Sequence, residues 1–200
     1  IGDFICSVFT ERPYSFKSSA AHKNTDQIAD IYKNQFGVKE NLNAKQLTIY
    51  TKNILRKEVY NPEALITGAN FLISNTGSIV FTENEGNILK SNSFAPIHII
   101  VAGIDKMITS IDELSVLLPL SSLYDTNKNI SSLYSIINSP SNSEDKVQNL
   151  YLILLNNNRT NILSKEKQRN ILSCIQCGAC LEVCPIYNVI GGHTYNEYNP

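Results

Sequence analysis

Apolar positions in the first third of the chain recur at helical spacing. Ile28, Ile31, Tyr32 and Phe36 follow Thr25-Asp26-Gln27 and precede Gly37, which predicts a helix with both a start and a stop. Leu47, Tyr50, Ile54 and Leu55 predict a second helix from about Asn43 to Val59, closed by Asn61-Pro62. From residue 64 the period shortens. The β-prone runs Ala64–Thr67, Phe71–Ser74, Ser78–Phe81 and Ile97–Ala102 alternate with Gly68, Gly77, Gly86 and Gly103, as strands alternate with turns. Ser110-x-x-Glu113 has the form of a capping box for a helix carrying Leu114, Leu117 and Leu118, with Pro119 near its end. Residues 121–149 are rich in Ser and Asn and read as a long connection holding a short helix at Ser131–Ile137. Leu150–Leu155 is an uninterrupted apolar run, the pattern of a strand buried on both faces. Ser164–Leu172 reads as a short helix of mixed charge, and residues 1–20 show no clear period.

Helices followed by short strands and another helix predict an α/β layered domain over residues 1–163, with residues 164–200 as a separate segment. Composition adds little. A hydrophobic fraction of 42% with 18% charged residues suits a chain with a real core. A net charge of -1 gives no electrostatic ground for a nucleic-acid or anionic-membrane partner. No apolar stretch approaches the ~20 residues of a membrane-spanning helix. The first ten residues have an apolar centre, Phe4 to Phe9, without the basic segment or cleavage site of a secretory signal. The chain starts at Ile1 and stops at Pro200, soon after a group of cysteines, so the expectation is an internal part of a longer cytoplasmic protein.

Those cysteines carry the strongest chemical signal. Four of the five form the run Cys174-x-x-Cys177-x-x-Cys180-x-x-x-Cys184-Pro185. Soft thiolates suit iron–sulfur clusters, and this spacing with a following Pro is the bacterial ferredoxin pattern. Gly178 permits a turn that a side chain would obstruct. Ile175, Leu181, Val183 and Ile186 are candidates to exclude water. A zinc site would set its two knuckles further apart, and two disulfides within so short a run would be strained. In two-cluster ferredoxins the fourth cysteine ligates the other cluster. Cys174, Cys177 and Cys180 are then ligands of one 4Fe-4S cluster and Cys184 of a second, and neither is completed by these residues alone. Cys6, in an apolar stretch, reads as a buried small hydrophobe.

Other candidates are open to two readings. Glu83 and Glu85, with Gly86-Asn87, form either a polar turn or the edge of a substrate site that backbone can approach closely. Gly68 and Asn70, within Thr67–Asn70, are either a tight turn or donors to a carboxylate. Arg159 either grips an anionic ligand bidentately or pairs with a neighbouring carboxylate. His98, inside an apolar strand, and His22 read as core or surface residues before catalytic bases. His193, after Gly191-Gly192, is either a surface residue or one that tunes a cluster by hydrogen bonding. Residues 1–163 offer no convincing nucleophile or acid–base pair.

Several of these segments resemble a known family. Thr67-Gly68-Ala69-Asn70-Phe71, Thr76-Gly77-Ser78 and Glu83-Asn84-Glu85-Gly86-Asn87 resemble the signature of the LUD domain. Ala21-His22 and the helix to Gly37 are similar as well. Cys174–Tyr195 resembles the first ferredoxin motif of the lactate utilization protein B family. Leu154-Leu155-Asn156-Asn157-Asn158-Arg159-Thr160 resembles a family loop written Leu-Leu-Asp-Asn-Gly-Arg-Thr, with Asn156 and Asn158 as departures. The resemblance implies a three-layer α/β LUD domain of the isomerase and CoA-transferase type, followed by the first half of a small α-helical two-cluster ferredoxin module. It implies an iron–sulfur electron-transfer subunit of a cytoplasmic complex oxidising L-lactate to pyruvate. The implied partners are a cysteine-rich iron–sulfur subunit, a LUD-only subunit and a small 2-hydroxy acid. It raises Gly68, Asn70, Glu83, Glu85, Gly86, Asn87 and Arg159 as substrate-binding candidates. The alternative is a LUD module that binds a ligand or assembles a complex, fused to a ferredoxin serving another oxidoreductase. Asn156 stands where the family has the carboxylate on which an acid–base or metal role of the loop would rest, whereas Asn158 can take the left-handed conformation of the family's glycine.

Overall fold

The computed structural model describes residues 1–14, 19–38, 42–60, 62–83, 86–126, 133–140 and 149–194. The chain divides into two compact units, one of Ile1–Lys57 with Gly178–Pro200 and one of Glu58–Cys177.

The first unit is helical. Helix α1 spans Gly2–Val8, α2 Thr25–Phe36 and α3 Ala44–Tyr60, the last turn of α3 reaching into the second unit. Both longer helices follow the sequence expectation closely. The cap of α2 is Asn24, one residue earlier than the Thr25 signal suggested; its side chain accepts from Gln27 N while Gln27 reaches back to the Asn24 N–H. Gly37 stops the helix in the left-handed conformation. Ala29, Tyr32 and Leu47 form the buried centre, with Phe36 and Tyr50 around it. The fully buried Tyr32 hydroxyl meets Thr51 Oγ1 at 2.7 Å, so the ring buries its apolar area without stranding its polar tip. Cys6 is buried, as read, and its thiol donates to Ser19 O.

The second unit is built on two sheets. Strands β1 Leu65–Gly68, β4 Ile97–Gly103 and β7 Asn149–Leu155 form a parallel sheet in the order β1-β4-β7. Strands β2 Phe71–Ile73, β3 Ser78–Glu83, β5 Met107–Ile108 and β6 Leu133–Ile137 form a mixed sheet in the order β5-β2-β3-β6. Strand β3 is buried along nearly its whole length because it has apolar neighbours on both faces. Ile79 and Phe81 pack with Leu72 against Ile100 and Ala102 of the parallel sheet. Val80 points the other way, with Phe71 and Ile73, onto Leu114 of helix α5, Leu114–Thr126. Helix α4, Asn87–Phe94, lies between β3 and β4 in sequence.

Four expectations are corrected. The segment expected as a helix at Ser131–Ile137 is strand β6 over its described residues, because pairing with β3 satisfies its backbone and overrides local propensity. Pro119 lies inside α5, not near its end. The missing N–H costs one helical hydrogen bond, but Leu114, Leu117 and Leu118 hold the helix on the core. Strand β7 is indeed parallel, yet it is the sheet edge and not a central strand. Tyr151–Leu155 are each 41–54% exposed because only β4 flanks it. Ser164–Leu172 is not one helix: α6 covers Arg159–Leu163 and a 3-10 turn covers Arg169–Ser173. Ser110 and Glu113 do form the expected capping box, at a 3-10 turn that leads into α5. Among the described residues no helix is long and apolar enough to cross a membrane.

His98 is the core residue the pattern suggested, with more partners than expected. It is 0% exposed, Nδ1 donates to Asn92 Oδ1 at 2.8 Å, Nε2 accepts from the Thr67 hydroxyl at 2.8 Å, and the ring stacks on Phe81. Burial holds its pKa below the usual 6.5. The folded state therefore binds fewer protons than the unfolded state. The contribution is fully present above pH 6.5 and is lost as pH falls through the depressed folded value. Urea unfolding between pH 8 and pH 5 will show falling stability below pH 6.5, and His98→Gln will flatten that slope even if it lowers stability throughout.

Candidate functional site

The cysteine run straddles the boundary between the units, so each half is described where it folds. In the second unit the 3-10 turn Arg169–Ser173 delivers Cys174, whose N–H donates to Ile171 O at 3.3 Å. The Gln176 N–H then donates to Cys174 Sγ at 3.4 Å, with Gln176 at φ +58°. Ile175 turns inward and packs on the cluster of Phe71, Ile73, Val80 and Leu114. Ile175 lies between Cys174 and Cys177, so this apolar contact holds the backbone between the two thiols.

In the first unit Gly178, at φ +76°, starts helix α7, Ala179–Val183, which carries Cys180. A side chain would be strained at that φ, so the glycine is required by the turn. Cys184 caps helix α8, Pro185–Ile190, and its Sγ accepts from Tyr187 N at 3.5 Å, with Pro185 in the first helical position. The segment after α8 is tied to the N-terminal residues: Gly192 N donates to Tyr14 O, and the Tyr14 hydroxyl to Asn188 O. Val183 and Ile186 are exposed, unlike Ile175.

All five cysteines are free thiols. Among the described residues no three His, Cys, Asp or Glu side chains converge as a metal centre. The donor set nevertheless fits an iron–sulfur group. The four thiols of the run are soft donors, none is spent in a disulfide, and Cys174 and Cys184 already accept backbone N–H bonds at sulfur. Such bonds stabilise thiolate charge and tune cluster potentials.

The candidates on the α/β unit separate into two groups. Asn70 accepts from Thr82 N through its side chain and donates its own N–H to Val80 O, both at 2.9 Å, so it bridges the start of β2 to β3. Glu83 is 6% exposed, and its carboxylate accepts from Ile88 N and Leu89 N at 2.8 and 2.9 Å. It thereby satisfies two donors at the start of α4 and brings negative charge to the positive end of the helix. Gly86, at φ +67°, precedes that helix and Asn87 is its first residue. Gly68 ends β1. Glu85 and the side chain of His193 lie outside the described residues. His22 contacts Glu11 at 2.8 Å and stacks on Tyr14.

Arg159 stands apart. Its Nε donates to the Asp105 carboxylate, a terminal nitrogen contacts Asn156 O at 3.4 Å, and its side chain lines a cavity of about 380 Å³. Gly103 makes room for the pair, since a Cβ there would collide with Asp105 Oδ1 and come within 3.0 Å of Arg159 Nε. The loop that aims Arg159 keeps its shape despite the two substitutions. Asn156 Oδ1 accepts from Thr160 N at 3.0 Å, and Asn158 takes φ +65°, the glycine-like conformation. Arg169, Asn170 and Ser173 line the same cavity, so its wall ends one residue before Cys174. Beside it, burial pushes the Lys106 amine below its usual range, opposed by Asp105 and Cys174 and reinforced by Arg159. Sequence reasoning missed Asp105, Lys106, Arg169 and Ser173. The one available signal was Gly103 at the end of an apolar strand, followed directly by a charged pair.

The chain thus joins a two-sheet α/β unit to a run of four free thiols. Residues 5–160 match the model of the LUD domain, and the chain belongs to that family. It is 33% identical, over its whole length, to lactate utilization protein B of Bacillus cytotoxicus, and 32% identical to the protein of that name from Shouchella clausii. The chain spans about 42% of the length of these curated relatives. A crystal structure of a DUF162 family protein from Deinococcus radiodurans is similar over 76% of this chain and 92% of that one, at TM-score 0.38 and 14% identity.

The two groups of candidates differ in what substitution should do. Glu83→Gln weakens the two bonds that hold the start of α4 and should cost about 1–2 kcal/mol in denaturant unfolding. Unchanged stability in this variant would show a different task for this carboxylate.

Proposed function

We propose that this chain is the iron–sulfur electron-transfer part of a cytoplasmic system that oxidises L-lactate to pyruvate. The observation that carries the reading is the run of four free thiols, two of them accepting backbone N–H bonds, joined to a LUD domain whose curated relatives are named for lactate utilization. Cys174, Cys177 and Cys180 would hold one 4Fe-4S cluster, and Cys184 would contribute to a second. The remaining ligands come from outside these 200 residues. When bound, such clusters accept and pass on single electrons.

Oxidation of a 2-hydroxy acid to a 2-oxo acid releases two electrons and two protons, so two one-electron carriers in series match its stoichiometry. The chain's own residues set the conditions for that traffic. Ile175 anchors the first ligand loop in the apolar core, which limits reorganisation when charge arrives. The Gln176 and Tyr187 N–H groups stabilise sulfur charge. Burial holds the Lys106 amine below its usual range, and the nearby Cys174 opposes that fall. Residues 164–200 act as the electron-carrying module and residues 1–163 as part of a three-layer LUD domain that serves the same complex. The partners in this reading are a cysteine-rich iron–sulfur subunit and a LUD-only subunit.

Disrupting the gene should abolish growth on L-lactate and spare growth on pyruvate; undiminished growth on L-lactate would sink the proposal. At the level of residues, Lys106→Gln removes a positive charge near Cys174. Voltammetry of the anaerobic protein should show one cluster shifted to lower potential and the other unmoved. Equal shifts in both would contradict the placement of Cys174 and Cys184 on different clusters.

A further inference from the structure

We propose that the cavity beside Arg159 is a binding site for a small organic carboxylate with an apolar body. The inference stands on the cavity itself and does not depend on the iron–sulfur reading. At one end Arg159 is held by Asp105 through Nε and by Asn156 O through one terminal nitrogen. Its other terminal nitrogen has no protein partner among the described residues, on a side chain that is 23% exposed and lines the cavity. Arg169 lines the same cavity, and its one ion pair among the described residues is a long contact of 3.8 Å to Glu166, between two exposed side chains. Such a contact is worth little and yields readily to a better anion. Two guanidinium groups against one carboxylate, Asp105, leave the site one positive charge in excess. A carboxylate matches a guanidinium's planar pair of donors, and Ser173 adds a hydroxyl to the polar end.

The rest of the wall sets the body of the ligand. Ile104, Met107, Leu163 and Leu172 line it, and no second anion-binding group faces them among the lining residues. A three-carbon acid held on the arginines would touch little of this apolar wall. The fit is therefore to a longer monocarboxylate, its head on the arginines and its chain along the four apolar residues. A phosphate or a compact dianion would satisfy the charge and waste the apolar wall.

Calorimetric titration of the anaerobically purified protein with straight-chain carboxylates from acetate to octanoate tests this, with inorganic phosphate as the contrasting anion. Affinity should rise about fourfold with each added methylene until the apolar wall is covered. Arg169→Gln should weaken every member of the series about tenfold without lowering the melting temperature, since its ion pair with Glu166 joins two exposed side chains. Asp105→Asn should act in the opposite direction and tighten binding, by freeing Arg159 from its internal anion; a melting curve identifies any unfolding of that variant. Affinity independent of chain length, phosphate binding as tightly as the longer carboxylates, or indifference to Arg169→Gln would each overturn the proposal. Loss of iron with carboxylate binding intact would count against the electron-transfer reading alone.

Discussion

The burial of β3 on both faces is the constraint on which the second unit depends. A strand with apolar partners on one side can tolerate a shift of its neighbours; a strand between two apolar clusters cannot, because each face fixes the other's register. Phe81 and Ile79 commit one face to the parallel sheet, and through Phe81 to the buried His98. Val80 commits the other face to α5 and, through the same cluster, to Ile175. The first ligand loop of the cysteine run is therefore attached to the most deeply buried strand of the unit and does not hang from a linker. That attachment gives physical content to the idea that the α/β domain and the thiolates act together.

A second consequence concerns the end of β4. The strand leaves the core at Gly103, where the absence of a side chain lets Asp105 and Arg159 pair across it. The pair joins the β4 exit to the loop before α6, and so sets one wall of the cavity that reaches Ser173. Charge here is arranged unevenly: the part-buried Asp105 carboxylate faces Arg159, and burial holds the Lys106 amine below its usual range while Asp105 and Cys174 oppose that shift. A low-dielectric neighbourhood of this kind makes each charge count for more than it would at the surface.

Much of this was legible in the residues, for reasons that can be named. Helices α2 and α3 announced themselves by apolar spacing and by Gly37, because those signals are local. Strands β1 to β4 followed from short apolar runs between glycines. The turn at Gly178 was legible because its constraint is local: the residue takes φ +76°, which favours glycine. Elements decided by distant contacts were not. Strand β6 was misread as a helix because its backbone is satisfied by β3, some fifty residues earlier in the chain. The apolar run of β7 predicted burial, but its place in the strand order left it at an edge. Glu83 looked like a site carboxylate because sequence shows a charge and not its partners; in the structure it holds the first turn of α4. Arg159 had both a ligand and a carboxylate as possible partners in sequence, and the structure shows it paired with Asp105 at the rim of a cavity.

The central claim is that the thiols from Cys174 to Cys184 bind iron–sulfur clusters. Mössbauer spectroscopy of iron-57-labelled protein purified without oxygen, with parallel analysis of iron, sulfide and zinc, tests it most directly. The account predicts signals of 4Fe-4S clusters with equal iron and sulfide, and loss of one cluster's signal in Cys177→Ser while the other remains. Stoichiometric zinc with neither iron nor sulfide would contradict it.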